Sequence, residues 1–150
     1  LNTWRDLLKE KESPGNLVNF HTRHKLLILS HSTRHYQSLG RLVAKAKDLP
    51  IKELYSQYQT LLMEALRLGA TPKKHANVLM HMMGYFKKDL TPNEKQELLE
   101  VIDNYRAGFF PLIVPVTLIK HYVGKYDQPY LKEQAYLNPH PIELQLRNHV

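Results

Sequence analysis

The chain has 150 residues, 43% of them hydrophobic, a formal net charge of +7 and no cysteine. The length fits one domain with one core, and the apolar fraction is too high for a disordered chain. Without thiols, disulfides, thiolate nucleophiles, Cys-ligated zinc and Cys-bound iron–sulfur clusters are excluded within this sequence.

The chain opens on Leu1, which fits an excerpt of a longer protein, and its first residues are amphipathic and charged, unlike the basic start and apolar run of a signal peptide. They predict a peripheral N-terminal helix over 3–12. Ser13-Pro14 reads as an N-cap followed by proline at the first helical position and predicts a helix over 14–30. That segment carries Leu17, Val18, Phe20, Leu26, Leu27, Ile28 and Leu29, so it is expected to be apolar nearly all round and central. A helix over 32–47 follows. Asp48-Leu49-Pro50, Thr71-Pro72 and Thr91-Pro92 repeat the capping grammar and open helices over 50–68, 72–88 and 92–106. Further helices are expected over 115–125 and near 129–136. Gly69 and Gly108 are candidate C′ residues. Asn138–Pro141 reads as a turn or extended segment, and 142–148 as a last helical turn. Strand signals are missing and the linkers are short. The expectation is an all-α, compact single-domain bundle of about seven to eight helices over 1–150. The longest apolar stretch, Phe109 to Ile119, is broken by Pro111 and Pro115, so no membrane span is expected.

Positive charge is concentrated in two places. Residues 14–48 hold six Lys/Arg against one Asp, and residues 71–90 hold four Lys against one Asp. In helix 32–47, Tyr36, Leu39, Val43 and Ala46 form an apolar side, while Arg34, Ser38, Arg41 and Lys45 align on the other. In helix 72–88, His75, Leu79, Met82 and Phe86 form the apolar side, and Lys74, Asn77, His81, Gly84 and Lys88 a second polar stripe. Neither stripe contains an acid. Solvated faces usually mix signs, so both stripes are candidate phosphate contacts, widened by Arg23, Lys25, Lys73 and Lys87. A glycine inside a helix lets a ligand or another backbone approach, and close helix packing explains Gly84 equally well. Tyr85 falls at the border of the apolar side, where an exposed ring could stack on a base.

Nine histidines raise the question of a metal. His21/His24 and His31/His35 have spacings that supply two ligands, but residues 14–47 contain no carboxylate to complete a set. No metal is expected. His24, His31 and His75 project onto apolar sides and read as structural histidines, with a role in a site as the alternative. Ser30-His31-Ser32 is suggestive only as a string, and there is no Gly-x-Ser-x-Gly, phosphate loop or dinucleotide fingerprint. Glu94, Glu97 and Glu100 read as a solvated helix face. No catalytic residue and no cofactor are expected.

Residues Phe20 to Ser32 (FHTRHKLLILSHS), Tyr36 with Leu39–Val43, Lys74–Leu79, His81–Lys87, Tyr105-Arg106 with Pro111-Leu112, and Pro139–Asn148 resemble the YbgA-like family. The resemblance runs from about residue 16 to the end. That family long stood as a domain of unknown function in bacteria, found alone or fused behind a cysteine-rich iron–sulfur domain similar to thiouracil desulfurases. The resemblance implies a tRNA-binding partner for sulfur removal from 4-thiouridine, with cluster and chemistry in the other domain. The resulting expectation is a non-catalytic, cytoplasmic RNA-binding domain. It docks structured RNA, tRNA first, with a desulfurase-like iron–sulfur domain as possible partner and no membrane. The alternatives are a protein-tethering module and a small-molecule enzyme built on His24, His31, His75 and His81.

Overall fold

The computed structural model describes residues 2–139. Among them are eight α-helices, one 3₁₀ turn and no strand, an all-α fold as the capping grammar predicts. The chain divides into two compact units, Leu1–Gly69 and the residues from Ala70 onward. The expected last turn over 142–148 lies outside the described residues.

The first unit comprises α1 (Asn2–Leu8), α2 (Pro14–His31), α3 (Thr33–Ala44), a 3₁₀ turn at Ala46–Asp48, and α4 (Ile51–Arg67). Ser13 caps α2, its hydroxyl accepting from the Asn16 N–H at 3.1 Å, and Tyr55 fastens the cap by donating to the Ser13 carbonyl at 2.9 Å. Helix α2 packs on α1, α3 and α4. It is not apolar all round: Gly15, Val18, Asn19, Thr22 and Arg23 form a solvent face, while Leu17, Phe20, His21, His24 and Ile28 are buried. The run of apolar letters hides this because the polar residues fall one per turn. Trp4 brings α1 into the core, edge-on to Phe20 at 5.3 Å and stacked on Tyr58 at 5.5 Å. Its indole N–H donates to Gln59 at 2.9 Å, which satisfies the polar end of a ring that is otherwise 2% exposed.

The expected helix 32–47 stops at Ala44, and Lys45 forms the C-cap before the 3₁₀ turn. Asp48 does not cap α4; Pro50 occupies the N-cap position, with no side-chain bond. Gly69 has no left-handed backbone, because Leu68 leaves α4 in extended conformation and no reversal is needed.

The second unit holds α5 (Pro72–Phe86), α6 (Pro92–Arg106), α7 (Ile113–Lys125) and the short α8 (Pro129–Lys132). Its core includes Val78, Leu79, Met82, Phe86, Leu98, Ile102, Ile119 and Leu131. Gly108 takes φ +91° and closes α6 in a Schellman motif. The Phe109 N–H reaches the Asn104 carbonyl at 2.9 Å and the Gly108 N–H the Tyr105 carbonyl at 3.0 Å. Helix α7 begins two residues before Pro115, which the proline tolerates because first-turn N–H groups have no helical partner.

Candidate nucleic-acid interface

In the first unit, Arg34, Arg41 and Lys45 are exposed and Ser38 half-buried. They stand opposite buried Leu39 and half-buried Tyr36 and Val43. The Arg41 guanidinium donates to the Ser38 hydroxyl at 3.3 Å. None of Arg34, Arg41 and Lys45 forms an ion pair among the described residues, so the charge of this face is not neutralised from within. Lys25 is half-buried and Arg23 exposed. Arg23 lines a cleft of about 410 Å³ together with Asp6, Glu10 and Asn19. Two acids share that cleft with it, which sets it apart from the acid-free face of α3.

In the second unit, α5 buries His75, Val78, Leu79, Met82 and Phe86 and exposes Lys73, Asn77, Met80, His81, Gly84, Tyr85 and, at its end, Lys87 and Lys88, with Lys74 half-buried. Thr71 caps the helix, accepting from the Lys74 N–H at 3.2 Å. The first turn has no acid and two lysines, against the field of the helix dipole, which favours acids there by roughly 0.3–1 kcal/mol each. Lys73, Lys87 and Lys88 make no ion pair among the described residues. Gly84, in the last turn of α5, costs up to about 1 kcal/mol relative to alanine. A Cβ there would meet nothing within 4 Å, so close helix packing does not account for it among the described residues. Tyr85, which the periodicity leaves undecided, is 46% exposed, with its ring 4.9 Å from that of Tyr130. Its spacing from His81 (four) and Lys88 (three) marks it in the sequence; Tyr130 carries no such mark.

Among the described residues, His21, His24, His31 and His75 are engaged in structure. His24 Nδ1–H donates to the Phe20 carbonyl at 2.7 Å, its Nε2 lies 3.0 Å from the Thr3 hydroxyl, and its ring stacks on Phe20 at 4.0 Å. His31 is half-buried and donates from Nδ1 to the Leu68 carbonyl at 2.7 Å, capping the C-terminus of α4. His21 is buried, 2.9 Å from the Tyr58 hydroxyl, and burial, then the charges on Lys25 and His24, lowers its pKa to about 4. In the second unit His75 is buried against Tyr136 at 2.6 Å, whereas His81 is exposed on another side of α5.

Ser32, His35 and Glu64 have the atom types of a nucleophile, base and acid in sequence. The Ser32 hydroxyl lies 2.8 Å from His35 Nδ1, and His35 Nε2 lies 3.2 Å from Glu64. The burial is inverted, however. Ser32 is 8% exposed and its oxygen already accepts from the His35 N–H as the cap of α3, while the Glu64 side chain is 49% exposed. A substrate could reach the acid but not the nucleophile; Ser32 serves as the cap of α3, and His35 pairs with Glu64 of α4.

Glu94 is more than a solvated acid. It forms a capping box with Thr91, accepts from Lys125 at 2.8 Å and also takes the Tyr126 hydroxyl. The Lys125 hydrogen bond, then the Thr91 backbone and Tyr126, lower its pKa to about 2. The Tyr105 hydroxyl is buried with no partner among the described residues.

The sequence profile of the family described as "Protein of unknown function (DUF1722)" matches residues 25–141. The chain belongs to this family. It is similar to the "Uncharacterized protein YbgA" of Escherichia coli (strain K12), at 38% identity over 135 residues, covering 89% of this chain and 80% of that protein. No solved structure matches. Membership accounts for the YbgA-like motifs of α2 and α5 together. Among the described residues of this family member, no helix is long and apolar enough to cross a membrane.

Proposed function

We propose that the chain binds structured RNA, tRNA first among candidates, through the basic faces of α3 and α5. We propose further that it serves as a non-catalytic accessory domain in the cytoplasm. The observation that carries the reading is the exposed face of α5. Lysines stand there against the helix dipole and a glycine stands where no packing asks for it, two choices that weaken a helix and favour an anionic ligand that comes close. The acid-free face of α3 adds to it. In this reading Lys74, Lys88, Arg34, Arg41 and Lys45 contact phosphates, and Asn77 and His81 contact sugar or base edges. Sulfur chemistry on the RNA, such as removal from 4-thiouridine, belongs to a partner that has the cysteines this sequence lacks.

An electrophoretic shift with 4-thiouridine-containing and unmodified tRNA at two salt concentrations tests this. Retention at low salt and loss at high salt is the expected result, with Arg41→Ala/Lys74→Ala weakening both RNAs alike. If that double variant binds like the parent at every salt concentration, these faces are not the RNA site. The tethering reading then moves ahead, for which the 76% exposed Phe109 and 41% exposed Ile113 speak.

A further inference from the structure

Gly84 stands in the last turn of α5, two residues before its end at Phe86, without a positive φ and with open space where a side chain would be. Neither backbone nor packing calls for glycine, and helix propensity opposes it. What glycine provides is a gap in the side-chain surface. Met80 and His81 lie one turn before it on the helix, Tyr85 follows it in the chain, and Lys88 stands in the turn just beyond the end of α5. All four are exposed. The Tyr85 ring leans on Tyr130, planes at 32°, so it is held in place while nearly half its surface faces solvent.

We propose that the gap over Gly84 seats one unpaired nucleotide of the bound RNA, its base stacked on Tyr85 and its phosphate at Lys88. The inference rests on the RNA reading above and adds the kind of RNA: one with a nucleotide outside a duplex, in a loop, a bulge or a single-stranded end. In an A-form duplex the base faces are hidden in the stack, so an exposed ring acts only on a base that is splayed out. A backbone without Cβ lets the planar base or the ribose come into contact with the helix. Lys88 is not spent on an acid of its own unit among the described residues, and the carboxylate next to it, Asp89, accepts from Gln128 at 3.2 Å.

The test uses the full chain, an unmodified tRNA transcript and a blunt RNA duplex of matched length, with binding curves at one salt concentration and thermal melts of each variant. The parent binds tRNA more tightly than the duplex. Tyr85→Leu weakens tRNA binding about tenfold, the scale of one lost base stack, and leaves duplex binding unchanged, while Tyr85→Phe binds like the parent. Gly84→Ala and Gly84→Leu weaken tRNA binding in order of size and melt no lower than the parent, so lost binding is not lost folding. If the Tyr85→Leu and Gly84 variants bind tRNA like the parent, the nucleotide seat is overturned and the charge-driven reading stands. Equal losses on tRNA and duplex overturn it as well. A parent that retains neither RNA at low salt overturns both.

Discussion

Burial keeps the His21 imidazole neutral well into acid. Its pKa falls from the ordinary 6.5 to about 4, first through desolvation, then through the charges on Lys25 and His24. Between those values the unfolded chain binds a proton that the folded chain refuses, so stability rises with pH across the window. The contribution is complete above pH 6.5 and is lost as pH falls toward 4, a loss of no more than about 3 kcal/mol. Urea titrations of His21→Gln should give a flatter dependence than the parent between pH 6.5 and 4. Equal slopes would mean that water reaches the ring in the folded state. This residue also marks a limit of sequence reading. Periodicity puts His21 only at the edge of the apolar side of α2, because what covers it is Tyr58, 37 residues on. His24 and His75 were legible as inward-facing from spacing alone, whereas their hydrogen-bond partners, Thr3 and Tyr136, were not.

Helix starts were the most legible elements, since Ser13-Pro14, Thr71-Pro72 and Thr91-Pro92 each state a cap locally. Ends were less so: Gly108 reverses the chain and Gly69 does not, and only the direction of the following segment separates them. The start of α6 combines both kinds of information. Its capping box is written in Thr91 and Glu94, but Glu94 is also the anchor for Lys125 and Tyr126 at the end of α7. The depressed carboxyl pKa contributes stability above pH 4.5 that is lost as pH falls toward 2. Glu94→Gln should therefore lower the melting temperature at neutral pH, and the gap to the parent should close over that interval. A gap independent of pH would show that the carboxylate charge is not what joins α6 to α7. At the other end of the chain, α1 is attached through Trp4, which meets Phe20, Tyr55 and Tyr58. Trp4→Ala should cost about 3–5 kcal/mol in denaturant unfolding. A loss near zero would mean that α1 contributes nothing to its core.

Across the whole molecule, the excess of +7 is carried by segments around α2–α3 and α5 and is partly offset in α6. If four to six of those cations meet phosphates, the logarithm of RNA affinity should fall with the logarithm of salt at a slope of roughly −3 to −5. Arg41→Ala/Lys74→Ala should flatten that slope by about two contacts' worth, and Arg41→Ala alone should change the melting temperature little, because an exposed charge adds little to folding. A parent slope near zero would remove phosphate contacts from the account. The α5 face was legible in the sequence as an acid-free stripe, but its openness at Gly84 was not, since a packed and an unpacked glycine look alike in a string of letters. The same face has a consequence for anyone who evolves this protein in the laboratory. A library selected for heat resistance alone should enrich Gly84→Ala and acids in place of Lys73, because both substitutions repair the helix. If the proposed RNA site is right, the survivors would be hardier proteins that have exchanged binding for rigidity, and a second selection on binding would be needed to keep the two properties together.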